Sequence, residues 1–500
     1  MPQWLFPARR PNLLIVSGRL PPQTAFLSIS LALLFPAVLR AAPSTSTASL
    51  PARLVLLLDG VSYRDVEALQ KGTAFKSIRG RQVPVQAFGQ GYFPASRLIS
   101  TFPSISDPAW TEILGNDPPP GYQRTYFDAP TRSQVSFNGM TSSAEYERQM
   151  SWQMQGSLRR VTSYSSPVRA FKYELNEMIK RFLQSTAETT NFYALIHSTD
   201  SAQHLWGDIN SMLCALDEKL QELRAIYRAR EGKDLEILIL SDHGNNHAGR
   251  AKRIAIKRFL ARHGYRVTKS QVGPRDVVLP TAGIESWVEI HNAACETTNL
   301  VQLFSRLPGV DLITARSPDR TNRFLVMNSR GELAVIECNF ERNSFKYEME
   351  TGDPLNYRPV LEALANKHQL DARGFAVADA WMAESLTHHY PLALERIARG
   401  HTKLALNPAS ILISLDNAYV HSNWLLKRGI ALVRSGGTHG ALDAINSTGV
   451  LLSNFAPTQD TSTSRAAAVF NGFNGRPNVS FERSAQSEFA ETSRPGVNPH

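Results

Sequence analysis

Cysteine is scarce in this chain of 500 residues, which contains only Cys214, Cys295 and Cys338. Cys214 falls in a stretch of helical periodicity and is predicted to be a buried thiol. Cys295 and Cys338 are able to pair in an oxidising compartment, and the sequence leaves that pairing open. No cysteine stands beside the small residues Ala41 and Ala42, so a lipoprotein signal is not supported there. The chain also lacks an internal repeat.

The first 42 residues lack acidic side chains and carry four arginines. Their apolar stretch, from Ala25 to Leu39, is shorter than the roughly 20 residues that a membrane span needs. This arrangement is typical of an export signal, and an N-terminal membrane anchor is the alternative. We therefore predict a signal peptide at residues 1–42, a linker rich in Ser, Thr and Pro at residues 43–52, and a periplasmic or secreted protein.

A strong charge of one sign is also absent from the rest of the chain. The formal net charge is +10, of which the first 42 residues supply four charges, so that the remainder carries +6. A mildly basic chain attracts small anionic substrates but gives weak support for nucleic-acid binding. We expect a small anionic substrate, no specific nucleic-acid binding, and membrane association only if the N-terminal segment is retained as an anchor.

Two short apolar runs each lead into side chains that bind metals. Residues 191–197 precede Asp200 and His204, and residues 237–240 precede Asp242 and His243. The length of the runs and their β-branched and aromatic content predict buried strands. Between them, helical periodicity with Asp208 as a candidate N-cap and Gly232 past the end predicts a crossing helix. Ligands at the carboxyl ends of such strands lie where open α/β sheets bind their substrates.

A third apolar run, Leu54–Leu58, is predicted to be a strand buried on both faces, and it ends in Asp59. Farther along, residues 101–115 predict a turn and then a short helix whose N-terminal region carries Ser106. Free backbone N–H groups and the positive end of the helix dipole stabilise a developing anion at that position. The simpler alternative is that Ser106 only caps the helix.

These residues occur in a fixed order, Asp59, Ser106, Asp200, His204, Asp242 and His243, and the segment Gly436-Gly437-Thr438-His439-Gly440 follows. The set resembles the alkaline phosphatase superfamily, most closely its nucleotide pyrophosphatase/phosphodiesterase-like branch. The resemblance covers roughly residues 53–455. It implies an α/β fold, a three-layer α/β/α sandwich with a mostly parallel central sheet and a cap or accessory insertion at about residues 265–430. Residues 456–500 are rich in Ser, Thr, Asn and Gly and are predicted to be a flexible tail.

The resemblance also implies the ligands of two divalent metal ions. One ion would be held by Asp200, His204 and His439, and the other by Asp59, Asp242 and His243, with Ser106 bridging toward the second ion as the nucleophile. Asp200 and His204 are four residues apart, so a helical turn projects both from one face. Mixed Asp and His ligation favours zinc, with manganese as the alternative, over calcium or magnesium.

Such a site predicts a metal-dependent hydrolase of phosphate esters that acts through a phosphoserine intermediate, either a phosphomonoesterase or a phosphodiesterase. The alternatives are a sulfatase or phosphonate hydrolase of the same superfamily, or a non-catalytic binding protein that retains the fold. Sulfatases make a formylglycine within a C/S-x-P-x-R context, and this chain has Trp110 where the context needs Arg. Sulfate-ester hydrolysis is therefore expected to be a side activity at best.

One departure from the family bears on the substrate. Many diesterase-like members have Thr as the nucleophile and an Asn that contacts a phosphoryl oxygen, whereas this chain has Ser106 and, in the comparable segment, Arg124. A guanidinium suits a doubly charged terminal phosphate, so Arg124 is the predicted substrate-binding residue. A surface arginine paired with Asp128 is the alternative. His197 and His247 flank the metal motifs and are candidates for contacts with the ligands or the substrate.

Overall fold

The computed structural model describes residues 49–78, 80–136, 144–154, 163–187, 190–205, 209–247, 251–281, 283–422 and 437–472. The predicted signal peptide lies outside these residues, as do Asp208 and Gly436. Within the described ranges, none of the helices combines the length and the apolar character that crossing a membrane requires.

Most of the described strands belong to one of two seven-stranded sheets. In chain order the strands are β1 (Arg53–Leu58), β2 (Ala74–Ile78), β3 (Arg81–Val85), β4 (Ser96–Ile99), β5 (Thr125–Asp128), β6 (Ser133–Ser136), β7 (Trp152–Gln153), β8 (Asn191–Ile196), β9 (Glu236–Ser241), β10 (Lys252–Arg253), β11 (Arg266–Thr268), β12 (Asp276–Val278), β13 (Ile284–Glu285), β14 (Trp287–Ile290), β15 (Val310–Arg316), β16 (Arg323–Asn328), β17 (Leu333–Asn339), β18 (Ser344–Thr351), β19 (Ala376–Val377), β20 (Ile411–Leu415), β21 (Tyr419–Ser422), β22 (Thr448–Ser453) and β23 (Thr461–Ser462).

The described α-helices, in chain order, are α1 (Tyr63–Gln70), α2 (Ser106–Ile113), α3 (Glu145–Arg148), α4 (Pro167–Gln184), α5 (Ser198–Leu205), α6 (Asn210–Glu231), α7 (Ile256–Arg262), α8 (Thr297–Phe304), α9 (Arg358–Asn366), α10 (Ala378–Ser385), α11 (Ala393–Gly400), α12 (Ala444–Ser447) and α13 (Thr463–Gly472). The predicted crossing helix is α6. It ends at Gly232, whose φ of 71° lies in the left-handed region that commonly closes a helix.

The central sheet has the strand order β23-β4-β22-β9-β1-β8-β7. β1 lies between β8 and β9 and is parallel to both, so Leu58 is level with Ile196 on one side and with Ser241 on the other. β22 is antiparallel to its two neighbours, β9 and β4. The three strands predicted from the apolar runs are therefore adjacent, and the prediction of a mostly parallel sheet is confirmed.

Helices cover both faces of the central sheet, because its strands are apolar at successive positions instead of alternating with polar ones. Val55 and Leu57 face one side and pack with α2, α3 and α13. Leu54, Leu56 and Leu58 face the other side and pack with α1, α4 and α6. This is the three-layer α/β/α arrangement that the sequence predicted.

The second sheet is antiparallel throughout and has the order β14-β20-β15-β16-β17-β18-β19. Its strands fall between residues 287 and 415, inside the region predicted to hold an insertion. One face packs with α9, α10 and α11, and the other with α7 and α8. Through α11 the sheet reaches Phe102 and Ile105, so it supports the segment that leads to Ser106.

Both predicted boundaries of the catalytic domain need correction. At the N-terminal end, Leu50 is buried and its N–H donates to Glu231, so residues 49–52 are packed and do not form a free linker. At the C-terminal end, β23 pairs with β4, and α13 packs on α2. The flexible tail predicted from residue 456 is therefore wrong as far as residue 472. This segment packs through small and hydroxyl side chains such as Ala466 and Thr463, which leave no apolar periodicity in the sequence.

The structure describes the burial and the pairing of all three cysteines. Cys214 on α6 is buried, as predicted, and Cys338 is buried in β17, whereas Cys295 is exposed. All three are free thiols, so Cys295 and Cys338 do not form a disulfide.

Candidate two-metal active site

Three adjacent strands of the central sheet end at the same level, and residues of the candidate site follow each of them. β1 leads into Asp59, β8 leads through His197 into α5, and β9 leads into Asp242 and His243. Because the register aligns the last residues of β1, β8 and β9, the side chains that follow them converge at the carboxyl edge of the sheet.

The first cluster at this edge consists of Asp200, His204 and His439, all of them buried. Asp200 and His204 lie one turn apart on α5, and His204 Nε2 is 3.3 Å from Asp200 Oδ2. His439 lies in a loop that is distant in the sequence, and its Nε2 lies 3.5 Å from Asp200 Oδ1. One ligand atom from each side chain lies within 4.8 Å of the other two.

The second cluster consists of Asp59, Asp242 and His243, also buried. His243 Nε2 lies 3.3 Å from Asp242 Oδ2 and 3.8 Å from Asp59 Oδ1. Ser106, the first residue of α2, donates from Oγ to Asp59 Oδ1 at 2.9 Å, and its Oγ is 3.3 Å from His243 Nε2. The structure thus brings together all seven residues that the sequence assigned to the metals and the nucleophile.

The two clusters are in direct contact. The imidazole rings of His243 and His439 are stacked, with centroids 3.9 Å apart and an interplanar angle of 18°. The ring of His204 also lies near that of His439, at 5.1 Å between centroids. His439 therefore contacts one imidazole ring of each cluster.

All three histidines are oriented in the same way. Nδ1 lies 3.1 Å from the Gly437 carbonyl in His204, 2.9 Å from the Gly244 carbonyl in His243, and 3.1 Å from the Ser104 carbonyl in His439. A carbonyl only accepts, so Nδ1 carries a hydrogen and donates it, and Nε2 is the ring nitrogen that faces the carboxylates. This is the tautomer that a metal-binding histidine needs.

Two carboxylate oxygens in the pocket, Asp200 Oδ1 and Asp242 Oδ2, are buried and have no hydrogen-bond donor among the described residues. Burying a charged group without a partner is costly, and a bound cation removes that cost. One cluster offers two imidazoles and one carboxylate, and the other offers one imidazole and two carboxylates. These donor sets fit divalent cations that accept both nitrogen and oxygen ligands.

Burial and mutual contact shift the pKa of these groups strongly. Burial, together with the charge of Asp59, raises the pKa of Asp242 to about 7 even though the neighbouring His243 opposes the change. Burial lowers the pKa of His204, but the adjacent Asp200 outweighs it, and the net result is a pKa of about 9. Burial and then the charge of His243 hold the pKa of His439 well below its usual range. Without a cation the pocket therefore retains protons that a cation would displace.

Gly60 keeps the space between the clusters open. Its N–H donates to Asp242 Oδ1 at 3.0 Å, and its φ of 70° lies in the left-handed region. A Cβ atom at this position would lie 3.1 Å from Asp200 Oδ1 and 3.2 Å from the ring of His243. The Asp-Gly pair at the end of β1 thus supplies one ligand and leaves room for two others.

Arg124 lies just before β5 and is half-exposed, with NH2 3.6 Å from Glu147 Oε1. Beside Glu147, Tyr146 donates its hydroxyl to Asp107, the residue that follows Ser106, at 3.0 Å. Among the described residues the ion pair of Arg124 is with Glu147 and not with Asp128, whose carboxylate accepts hydrogen bonds from Thr131. The guanidinium is anchored by one buried carboxylate, and contact with substrate stays a prediction.

The two flanking histidines have different surroundings. His197 Nδ1 lies 3.3 Å from Asp59 Oδ2, so this ring contacts a member of the second cluster. His247 Nε2 lies 3.2 Å from Asp65 Oδ2, and Asp65 is not one of the clustered ligands.

Arg396, a buried arginine of α11, was not predicted from the sequence. Its NH2 donates to the Thr101 carbonyl and to Ser104 Oγ, both at 3.1 Å, and its NH1 donates to the Leu442 carbonyl at 2.8 Å and the Pro391 carbonyl at 3.0 Å. One guanidinium therefore ties the loop that precedes Ser106 to the loop that follows His439. Burial lowers the pKa of Arg396 to about 9, so it stays charged at neutral pH.

Glu174, a buried carboxylate on α4, was also missed. It accepts hydrogen bonds from the N–H of His197 at 3.2 Å and of Ser198 at 3.1 Å, and from the Ser198 hydroxyl. These donors lie at the N-terminus of α5, where a negative charge is favourable. Glu174 thus fixes the start of the helix that carries Asp200 and His204.

Comparison with known families supports the resemblance. Residues 122–307 match the family model of type I phosphodiesterases/nucleotide pyrophosphatases. The matched segment includes Asp200, His204, Asp242 and His243, and it leaves out Asp59, Ser106 and His439. The match confirms the resemblance drawn from the motifs and indicates a phosphoric ester hydrolase.

Solved structures with a similar arrangement share little sequence with this chain. Murine ectonucleotide pyrophosphatase/phosphodiesterase 5 has 11% identity and a TM-score of 0.41, covering 84% of this chain and 94% of its own. Phosphonoacetate hydrolase from Sinorhizobium meliloti 1021, in complex with phosphonoformate, has 12% identity and a TM-score of 0.45, with the same coverage. No curated protein matches the chain.

Removing divalent cations is expected to lower the melting temperature, because Asp59, Asp200 and Asp242 then share a buried pocket without a compensating charge. Restoring a cation at a free concentration 100 times its Kd should stabilise the protein by about 2.7 kcal/mol per site. Differential scanning fluorimetry of chelated protein, titrated with zinc, measures the shift. Magnesium serves as the control because it disfavours imidazole ligands. Equal shifts with both cations, or none with zinc, would contradict the ligand assignment.

Arg396→Met is expected to weaken cation binding at the His439 cluster more than at the Asp59 cluster, because the carbonyls that it bridges belong to the loops around His439 and Ser106. It should also destabilise the fold by about 3 kcal/mol or more, since several buried acceptors lose their donor. Isothermal titration with zinc separates the two effects. Arg465→Met, which breaks an ion pair with Glu395, is the matched control for a general loss of stability. Identical zinc binding in both variants would show that Arg396 has only a structural role.

Proposed function

We propose that this protein is a hydrolase of phosphate esters that uses two divalent cations, zinc or alternatively manganese, and forms a phosphoserine at Ser106. The observation that carries the proposal is the position of the Ser106 hydroxyl, 2.9 Å from Asp59 Oδ1 and 3.3 Å from His243 Nε2. Ser106 therefore contacts two members of the Asp59 cluster, and the stacked rings of His243 and His439 connect that cluster to the Asp200 cluster. The match of residues 122–307 to the phosphodiesterase family supports the same reaction class.

Divalent cations bound at these clusters would lower the pKa of the Ser106 hydroxyl and offset the negative charge of the phosphate. The hydroxyl proton is lost to solvent, and Oγ forms a bond to phosphorus while the bond to the alcohol leaving group breaks. The alcohol leaves with a proton from water. The oxygen of a second water then forms a bond to phosphorus while the bond between Ser106 Oγ and phosphorus breaks. Oγ takes up a proton from water, which restores the serine, and phosphate is released.

The position of Ser106 also favours an anionic nucleophile. As the first residue of α2 it lies at the positive end of the helix dipole. Ser104, two residues earlier, is held by Arg396 and by backbone carbonyls of the His439 loop, so the turn that presents Ser106 is fixed to the ligand loop. The nucleophile and the ligands thus keep a constant separation.

The substrate we propose is a small phosphate ester with a terminal phosphate. Arg124 is half-exposed, and Glu147 holds it near Asp107, the neighbour of Ser106. A guanidinium forms two parallel hydrogen bonds with a phosphoryl group, and the second charge of a monoester strengthens them. A diester offers one charge and benefits less.

The alternatives have less support. In a sulfatase the position of Trp110 would be arginine, and Trp110 is buried in an apolar core where a charge has no partner. A non-catalytic protein would not need a hydroxyl in contact with the ligand cluster. A phosphonate hydrolase would use the same pocket, and substrate panels distinguish it. We also propose that the protein is exported, on the strength of residues 1–42 alone.

Ser106→Ala should reduce hydrolysis of a chromogenic phosphomonoester by at least about 10³-fold while leaving the cation content unchanged, because the nucleophile is lost and the six other ligands remain. Steady-state kinetics and elemental analysis of the same preparation measure both quantities. Ser106→Thr, which keeps a hydroxyl, is the matched control and should retain more activity than the alanine variant. Near-normal turnover by Ser106→Ala would refute the assignment.

Arg124→Ala should lower kcat/KM for a phosphomonoester by about 10–100-fold, the loss of roughly 1.5–3 kcal/mol from one charged hydrogen-bonding group, and should affect a diester less. Parallel assays of p-nitrophenyl phosphate and bis-p-nitrophenyl phosphate give the comparison. Arg148→Ala, on the exposed surface of α3, is the control. If both substrates lose activity equally, Arg124 does not select the monoester.

A further inference from the structure

The positive charge of the chain is concentrated in one segment that the proposed reaction does not use. Residues 251–276 contain eight Lys and Arg residues and a single acid, a net charge of +7 out of +10 for the whole chain. Because the first 42 residues hold another four positive charges, everything else is close to neutral. The segment therefore dominates the electrostatic field of the described part of the chain.

All eight basic side chains are exposed, and we call them the basic surface: Lys252, Arg253, Lys257, Arg258, Arg262, Arg266, Lys269 and Arg275. On α7 the apolar residues Ile256 and Leu260 are buried, so the helix turns Lys257, Arg258 and Arg262 toward solvent. Within the described residues, the ion pair between Arg266 and Asp276, at 2.8 Å, is the one that engages this surface.

Backbone contacts hold the segment together. β11 and β12 are paired, and α7 leads into β11 through Gly264. Arg275 reaches back over the ring of Tyr265, at 5.3 Å, and its NH1 lies 3.5 Å from the carbonyl of His263 at the end of α7. Tyr265 in turn donates its hydroxyl to Glu296 at 2.6 Å. The charges of α7 and of the β11–β12 loop therefore belong to one surface.

An apolar side chain projects from the same surface. Val272, in the loop between β11 and β12, is 83% exposed, more than any other large hydrophobic residue of the described chain. Asp276 Oδ2 accepts hydrogen bonds from the N–H of Val272 at 3.1 Å and of Gly273 at 2.6 Å, so the loop holds a fixed shape. Lys269 and Arg275 flank it. An exposed apolar side chain between cations is unfavourable in water. The phosphate backbone of a nucleic acid offers no apolar group that could contact it.

We propose that the basic surface docks on a phospholipid bilayer that carries anionic headgroups, with Val272 entering the headgroup region. Basic side chains near such a bilayer each gain a favourable interaction that salt screens, and a single apolar residue adds a smaller contribution. This docking rests on charge and exposure, and it is independent of the proposed hydrolase activity.

The test compares binding of the full chain to phosphatidylglycerol/phosphatidylcholine vesicles and to pure phosphatidylcholine vesicles by co-sedimentation. The variant Lys257→Glu/Arg258→Glu/Arg262→Glu should bind the anionic vesicles at least about 100-fold more weakly, because each basic residue accounts for about fivefold. Val272→Ser should weaken binding by a smaller factor. Raising the salt concentration from 0.1 M to 0.5 M should also weaken binding of the unaltered chain.

A matched control carries the same change in net charge elsewhere, Lys233→Glu/Arg320→Glu/Arg358→Glu, at exposed positions outside the basic surface. Both triple variants keep residues 1–52, so any contribution of the N-terminal segment is the same in each. The control should bind anionic vesicles within a few-fold of the unaltered chain. Equal loss in both variants, equal binding to neutral vesicles, or tighter binding to a DNA duplex than to anionic vesicles would overturn the proposal.

Discussion

The requirement to hold three carboxylates and three imidazoles in one buried pocket governs much of this structure. Asp59, Asp200 and Asp242 come from the ends of three strands that share one register, so the sheet itself brings their charges together. Such a group is unfavourable in an apolar interior unless cations, hydrogen bonds and fixed backbones compensate it. Glu174 fixes the backbone at the start of α5. Arg396 fixes the backbone of the loops around Ser106 and His439.

Much of the central sheet and the composition of the pocket could be predicted from the sequence, because strand ends leave strong local signals. An apolar run followed by Asp-Gly, or by Asp and His, predicts a strand and indicates the edge of the sheet at which that strand ends. Asp200 and His204 were predicted to share a helical face, and α5 places them one turn apart. The approach of His439 depended on the family resemblance, since no local pattern relates a loop at residue 439 to a helix at residue 200.

The elements that were missed interact through contacts that local sequence does not encode. Arg396 looks like any arginine of an amphipathic helix, and only the fold reveals that carbonyls of distant loops surround it. The C-terminal helix α13 packs through Ala466 and a hydroxyl of Thr463, so it lacks the apolar spacing that predicts a packed helix. The strand pairing of the second sheet was not predicted in detail. Strands such as β14 and β20 are far apart in the sequence, and no local pattern indicates that they pair.

The stacked rings of His243 and His439 connect the two halves of the pocket. With their centroids 3.9 Å apart, neither ring can tilt without displacing the other. His243 belongs to one ligand set and His439 to the other, so filling either set orients a donor of its neighbour. Divalent cations bound at the two clusters would therefore bind cooperatively. Scarcity of metal would then yield a mixture of empty and fully loaded molecules in place of a half-loaded population.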